Sequence, residues 1–123
     1  MNPVHFLFIA LSVTSPAMAA STITCESRES TEQFRFVMVT SAMQTTVQLY
    51  DGNQLITTFT NVATTGDAIG NTHEYLGVSK DGYGISFSAA YSAFNPLRTQ
   101  SVDFNMITPS GKIVSSATWM PCR

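Results

Sequence analysis

The sequence is short of charge, of cysteine and of long apolar runs, and each shortage removes a class of protein. Only 11% of its 123 residues are charged, six Lys/Arg against eight Asp/Glu, so no basic stripe is available to hold nucleic-acid phosphates. No unbroken apolar segment reaches the roughly 20 residues that a membrane-spanning helix needs. The two cysteines lack CxxC spacing, and of the two histidines His5 falls in the N-terminal segment expected to be a leader, so His73 alone would join them, too few ligands for a zinc shell. Scarce charge does not mean disorder here, because 44% hydrophobic residues is the reverse of a disordered composition. A chain of this length allows one small domain.

What is present begins with a leader. An apolar stretch over residues 6–13 is followed by Pro16 and by Ala17-Met18-Ala19, with small residues at the two positions that a signal peptidase reads. Residues 1–19 are therefore expected to be a secretory signal peptide, with its positive charge supplied by the α-amino group alone. Residues 20–123 then form a single exported β domain, periplasmic or secreted. The apolar run is about half a membrane span, and Cys25 lies too far behind it for a lipid-modified cysteine. Subtracting 19 from 123 leaves 104 mature residues, which keep all fourteen charges but hold twelve Ser and fifteen Thr. Polarity comes from hydroxyls, and β-branched Thr favours the pleated conformation.

Cys25 and Cys122 stand near the two ends of that mature chain. An even cysteine count in an exported protein reads as a disulfide, and two cysteines allow one intramolecular pairing. The bridge predicts first and last segments side by side, with Cα atoms about 6 Å apart.

Between the cysteines the pattern alternates with period two. Phe34, Phe36 and Met38 share one face of a strand over residues 33–40. Val47 and Leu49 follow, then the turn Asp51-Gly52-Asn53, then residues 54–62 with Leu55, Thr57 and Phe59 on one face. Residues 63–71 read as a loop containing Gly66 and Gly70, ahead of a strand over residues 72–78. Lys80-Asp81-Gly82 is a turn, and beyond it Ile85, Phe87, Ala89 and Tyr91 alternate with small and hydroxyl residues. Residues 94–97 interrupt the pattern. Val102, Phe104 and Met106 restore it, Pro109-Ser110-Gly111 makes another turn, and residues 113–119 form a last strand with Ile113, Ala117 and Trp119 on one face. With an opening strand at residues 23–27, the expectation is an all-β antiparallel meander of about eight strands, closed or nearly closed as a barrel, with a two-sheet sandwich as second choice.

Candidate functional residues are few. His73, with Glu74 beside it and Asp67 in the preceding loop, is the weak candidate for a catalytic general base. No cofactor and no metal site are expected. Gly66-Asp67-Ala68-Ile69-Gly70 lacks the lysine of a phosphate loop. Tyr83, set between Gly82 and Gly84, and Phe94, in an apolar loop with Leu97, are candidate contact residues, with Arg98 as a charge at their rim.

In outline the chain resembles the small periplasmic lysozyme-inhibitor barrels: an early Cys25, a meander of short strands, and a terminal Cys122 followed by the basic Arg123. Ser79-Lys80-Asp81-Gly82-Tyr83 only approximates the Ser-Gly-x-x-Tyr loop sought for that group, so the outline stops short of a family assignment. It implies a mildly acidic inhibitor that engages a basic lysozyme through a loop near Tyr83. The expected function is thus an exported binding module with a protein partner in the cell envelope or outside the cell. Two alternatives stand beside it: a small ligand-carrying barrel, and a hydrolase that uses His73.

Overall fold

The computed structural model describes residues 21–27, 33–41, 43–68 and 70–123, and the expected signal peptide lies outside them. Nine strands follow in order: β1 (Ser21–Glu26), β2 (Phe34–Thr40), β3 (Thr45–Asp51), β4 (Gln54–Ala68), β5 (Thr72–Ser79), β6 (Gly84–Ser92), β7 (Asn95–Ile107), β8 (Ile113–Ser115) and β9 (Met120–Pro121). From β1 to β8 each strand pairs antiparallel with the next, while β9 pairs with the other half of β7. Strands β8 and β9 are therefore the two halves of one interrupted strand, and the fold is an eight-strand meander. Among the described residues there is no helix.

The meander curls into a nearly closed barrel because its last residues return to its first strand. Thr24 and Arg123 exchange two backbone hydrogen bonds of 3.0 and 2.9 Å, and the Cys122 N–H donates to the Gln100 carbonyl at 2.8 Å. Next to this bonded pair, Cys25 and Cys122 face each other as a non-bonded pair of the same antiparallel ladder and form the disulfide. Their Cα atoms are 4.0 Å apart, closer than the expected 6 Å, because directly opposed residues at such a position approach to about 4.5 Å.

Alternation places the core where the sequence pattern puts it along most strands. Phe36, Met38, Val47, Leu49, Phe59, Ile85, Phe87, Ala89, Val102, Phe104 and Met106 are all buried. Aromatic rings occupy the interior: Phe36 meets Phe87 edge-on at 4.9 Å, Phe34 meets Phe104 at 5.4 Å, and Tyr75 stacks on Phe87 at 4.7 Å. Gly77 is buried among them because a Cβ there would stand 3.0 Å from Val62 Cγ2 and 3.4 Å from Ile85 Cγ2.

Four expectations need correction, and irregular pairing explains each. Leu49 pairs with Thr57 while Tyr50 pairs with Leu55, so Ile56 is an extra residue. That bulge reverses the alternation: Leu55 turns outward and Ile56 packs against the core. Residues 63–68 are strand, not loop. A second irregularity between Thr64 and Gly66, with Gly66 at φ 136°, lets β4 continue against β5 to a turn made by Gly70 and Asn71 at φ 92° and 58°. The interruption at residues 94–97 is shorter than expected: Ser92 pairs with Asn95, leaving Ala93 and Phe94 as a two-residue turn.

The last correction concerns the closing strand. Its inward residues are Val114, Ser116 and Met120, whereas Ile113, Ala117 and Trp119 are exposed. Ser116 stands where the ladder breaks and substitutes for it. Its N–H donates to the Phe104 carbonyl at 3.2 Å, its Oγ accepts from the Phe104 N–H at 3.1 Å, and its hydroxyl donates to Asp103 Oδ1 at 2.7 Å.

Candidate functional site

An up-and-down barrel presents its turns at two ends. Those after β2, β4 and β6 share one end; those after β3, β5 and β7 share the other. The candidate residues divide between them. His73, Asp67, Phe94 and Arg98 belong to the first end and Tyr83 to the second, with the nine residues of β6 between Tyr83 and Phe94. At about 3.3 Å per residue this separates the two rings' attachment points by roughly 30 Å.

At the Phe94 end, His73 lies opposite Asp67 in the β4–β5 ladder and opposite the buried Ala89 in the β5–β6 ladder. It therefore sits on the inward side of the sheet at the barrel mouth, half-buried, where its ring stacks on Tyr91 at 4.4 Å with 21° between planes. The Tyr91 N–H donates to the Asn71 carbonyl at 2.9 Å and ties β6 to the β4–β5 turn. Glu74, next in sequence, takes the opposite face and accepts a hydrogen bond from the Ser88 hydroxyl across the strand. The His73–Glu74 pair suggested by adjacency is thus divided between the inside and the outside of the sheet. Among the described residues no group of three His, Cys, Asp or Glu is placed to hold a metal ion.

The β6–β7 tip is the most exposed apolar point among the described residues. Phe94 is 99% exposed, yet its backbone is held, because its N–H donates to Ser92 Oγ at 3.1 Å and the paired Ser92 and Asn95 flank it. Arg98, four residues along β7, is also exposed.

At the opposite end Tyr83 follows a turn built by side chains. Ser79 N–H donates to the Tyr83 carbonyl at 2.8 Å, Gly82 N–H to the Ser79 carbonyl at 3.2 Å, and Tyr83 N–H to Ser79 Oγ at 2.9 Å. The Ser79 hydroxyl then donates to Asp81 Oδ1 at 2.5 Å, and the Thr57 hydroxyl donates to the same oxygen at 2.6 Å. These hydrogen bonds, first from Ser79 and then from Thr57, hold the Asp81 carboxyl below its ordinary range. Tyr83 is half-buried and packs against the core, so its ring is only partly available to a partner.

The turn after β7 repeats this design. Thr108 N–H donates to the Lys112 carbonyl, Gly111 N–H to the Thr108 carbonyl, and Lys112 N–H to Thr108 Oγ1, with Ser110 in the place of Asp81. Gly82 and Gly111 have φ of 94° and 89°, and a Cβ on Gly82 would touch Pro109 at 3.4 Å, so the two turns lie side by side. Sequence reasoning marked both as turns and missed their equivalence; a hydroxyl residue three positions before glycine, with Asp or Ser between, is the signal that carries it.

No protein-family model, curated protein or solved structure matches the chain, so the reading of these sites rests on their own geometry.

Proposed function

We propose that the protein is an exported binding module that meets a protein partner through the Phe94 end of its barrel. The observation that carries this reading is Phe94 itself, a wholly exposed ring on a two-residue turn with hydrogen-bonded flanks. A rigid aromatic presented this way loses little conformational entropy on binding, and Arg98 supplies a charge at its edge. A side-chain-filled interior favours contacts made from the outside over a ligand carried within. The Cys25–Cys122 bridge suits an oxidising compartment, as export to the periplasm or medium requires.

The sharpest version makes the partner a basic lysozyme and the protein its inhibitor, which the formal charge of −2 favours; the resemblance placed that contact at the loop near Tyr83, and the half-burial of Tyr83 is the reason for moving it to the Phe94 end. The test is inhibition of c-type, g-type and i-type lysozymes by the purified oxidised protein, alongside capture of partners from envelope extract. Phe94→Ala is expected to lower affinity about 30-fold or more without moving the melting temperature. Uninhibited lysozymes of all three types dispose of the lysozyme version. A Phe94→Ala variant that captures the same protein undiminished disposes of the Phe94 contact.

A further inference from the structure

The outer face of β5 to β8 carries an apolar row that none of the described residues covers. Ladder register aligns Val78, Gly84, Ile107 and Ile113 across four strands, and behind them Leu76, Ser86, Asn105 and Ser115. Leu76, Val78, Ile107 and Ile113 are between 52% and 69% exposed. Gly84, with open space where a Cβ would stand, floors a trough of about 540 Å³ between Val78 and Ile107. Such an open trough on the outside of a barrel cannot enclose most of a small ligand, as binding pockets do. It suits a second protein surface.

Charges bordering the row specify which surface. Lys80 and Lys112 are exposed in the two turns on one side of it. On the other side, one row behind Leu76, the register aligns Glu74, Ser88 and Asp103. Cations thus border one edge of the patch and carboxylates the other. A two-fold axis parallel to the sheet and across the strands turns this face onto a copy of itself. That rotation reverses strand direction, lays the Val78 row over the Leu76 row, and brings Lys80 of each chain over Glu74 of the other. The face is complementary to itself in charge.

We propose that this face is the interface of a reversible two-fold dimer. The four aliphatic side chains expose on the order of 400 Å², within the roughly 300–600 Å² of the largest apolar patch on a typical monomer, which is often functional. That is about half of the roughly 800 Å² per partner in a standard interface, with lysine stems, Ser86 and Asn105 adding to it. The area therefore supports association that depends on concentration rather than a permanent dimer. The Lys80–Glu74 pairs set orientation more than affinity.

Sedimentation equilibrium of the purified oxidised protein tests this directly. The average mass is expected to rise from one chain toward two with increasing concentration. Ile107→Asp and Val78→Asp, both outward-facing, are expected to hold it at one chain with the fold intact by circular dichroism. Lys80→Glu is expected to weaken the dimer about tenfold, and the double variant K80E/E74K to recover it, because reversing both charges restores opposite signs across the axis. Phe94→Ala, at the barrel end, is expected to leave the dimer unchanged. The mass of one chain at every concentration, a dimer indifferent to both aspartate variants, or a K80E/E74K variant no tighter than K80E alone overturns the proposal. So does a monomeric protein whose Ile107→Asp variant loses capture of an envelope protein, since the face then serves a different partner.

Discussion

Replacing both Cys25 and Cys122 with alanine is expected to remove about 4 to 5 kcal/mol of stability. The bridge joins residues 97 positions apart, and constraining an unfolded chain over a loop of that length is worth about 4.7 kcal/mol at 25 °C in the chain-entropy account. For a domain near 100 residues, whose whole stability is about 5 to 15 kcal/mol, this is the largest single contribution to argue for. What stays behind in the variant is the backbone pairing of Thr24 with Arg123 and of Cys122 with Gln100. Those hydrogen bonds are worth about 1 kcal/mol each once competition with water is counted, and they close the same barrel seam without a covalent link. Guanidinium unfolding followed by Trp119 fluorescence and by circular dichroism measures the difference. At about 4 to 8 °C per kcal/mol, the melting temperature is expected to fall by at least about 15 °C. The denaturant slope is expected to steepen, because an unbridged chain expands more on unfolding. Dithiothreitol-reduced wild type serves as an independent copy of the experiment. A loss below about 1.5 kcal/mol with an unchanged slope would refute the reasoning, since the unfolded chain would then gain little freedom from losing its bridge.

Gly77→Ala is expected to destabilise the fold by about 1 to 3 kcal/mol, because its new Cβ would press on Val62 Cγ2 at 3.0 Å in a packed interior. Gly84→Ala, with open space at the same atom, is expected to stay within about 0.5 kcal/mol of wild type, and equal guanidinium midpoints for the two variants would sink the packing argument. Asp81 titrates below its ordinary value of 3.8 when folded, so the stability it contributes is complete above about pH 4 and is lost as pH falls through the lowered folded value. Asp81→Asn is therefore expected to melt below wild type at neutral pH and to converge with it in acid; melting curves that stay parallel across that range would show that the carboxylate contributes nothing there.

Strands with regular pairing were legible because one-residue alternation is the only information they need. Phe34, Phe36 and Met38, or Val102, Phe104 and Met106, declare their inward face through their spacing alone. Bulges carry no such mark. The extra residue at Ile56 reverses the faces of Leu55 and Ile56 although both are aliphatic, so composition cannot reveal the change. Gly66 looked like loop punctuation and instead lets a long strand bend while it remains paired. Ser116 was passed over because a serine at an inward position contradicts a hydrophobic pattern, and its side-chain substitution for a broken ladder depends on Phe104 and Asp103, distant in sequence. Phe94 stood out as a candidate because it lies where the alternation stops, but whether its ring is tucked under the loop or turned outward depends on the two-residue turn, which spacing does not reveal. The packing of Tyr83 and the placement of His73 at the barrel mouth depend on neighbouring strands, which sequence spacing alone does not supply.

The closure by Cys25 and Cys122 also gives the molecule the connectivity of a ring. Every turn from β2 to β9 lies between the two sulfur atoms along the chain, including the exposed lysines at Lys80 and Lys112. A protease that cuts at either lysine opens the ring into a linear chain and releases no fragment, because both pieces remain joined through sulfur. Separation requires a second cut within the ring or reduction of the bridge. A nicked molecule can thus keep its strands together and retain its shape, with breakdown deferred until two independent events have occurred.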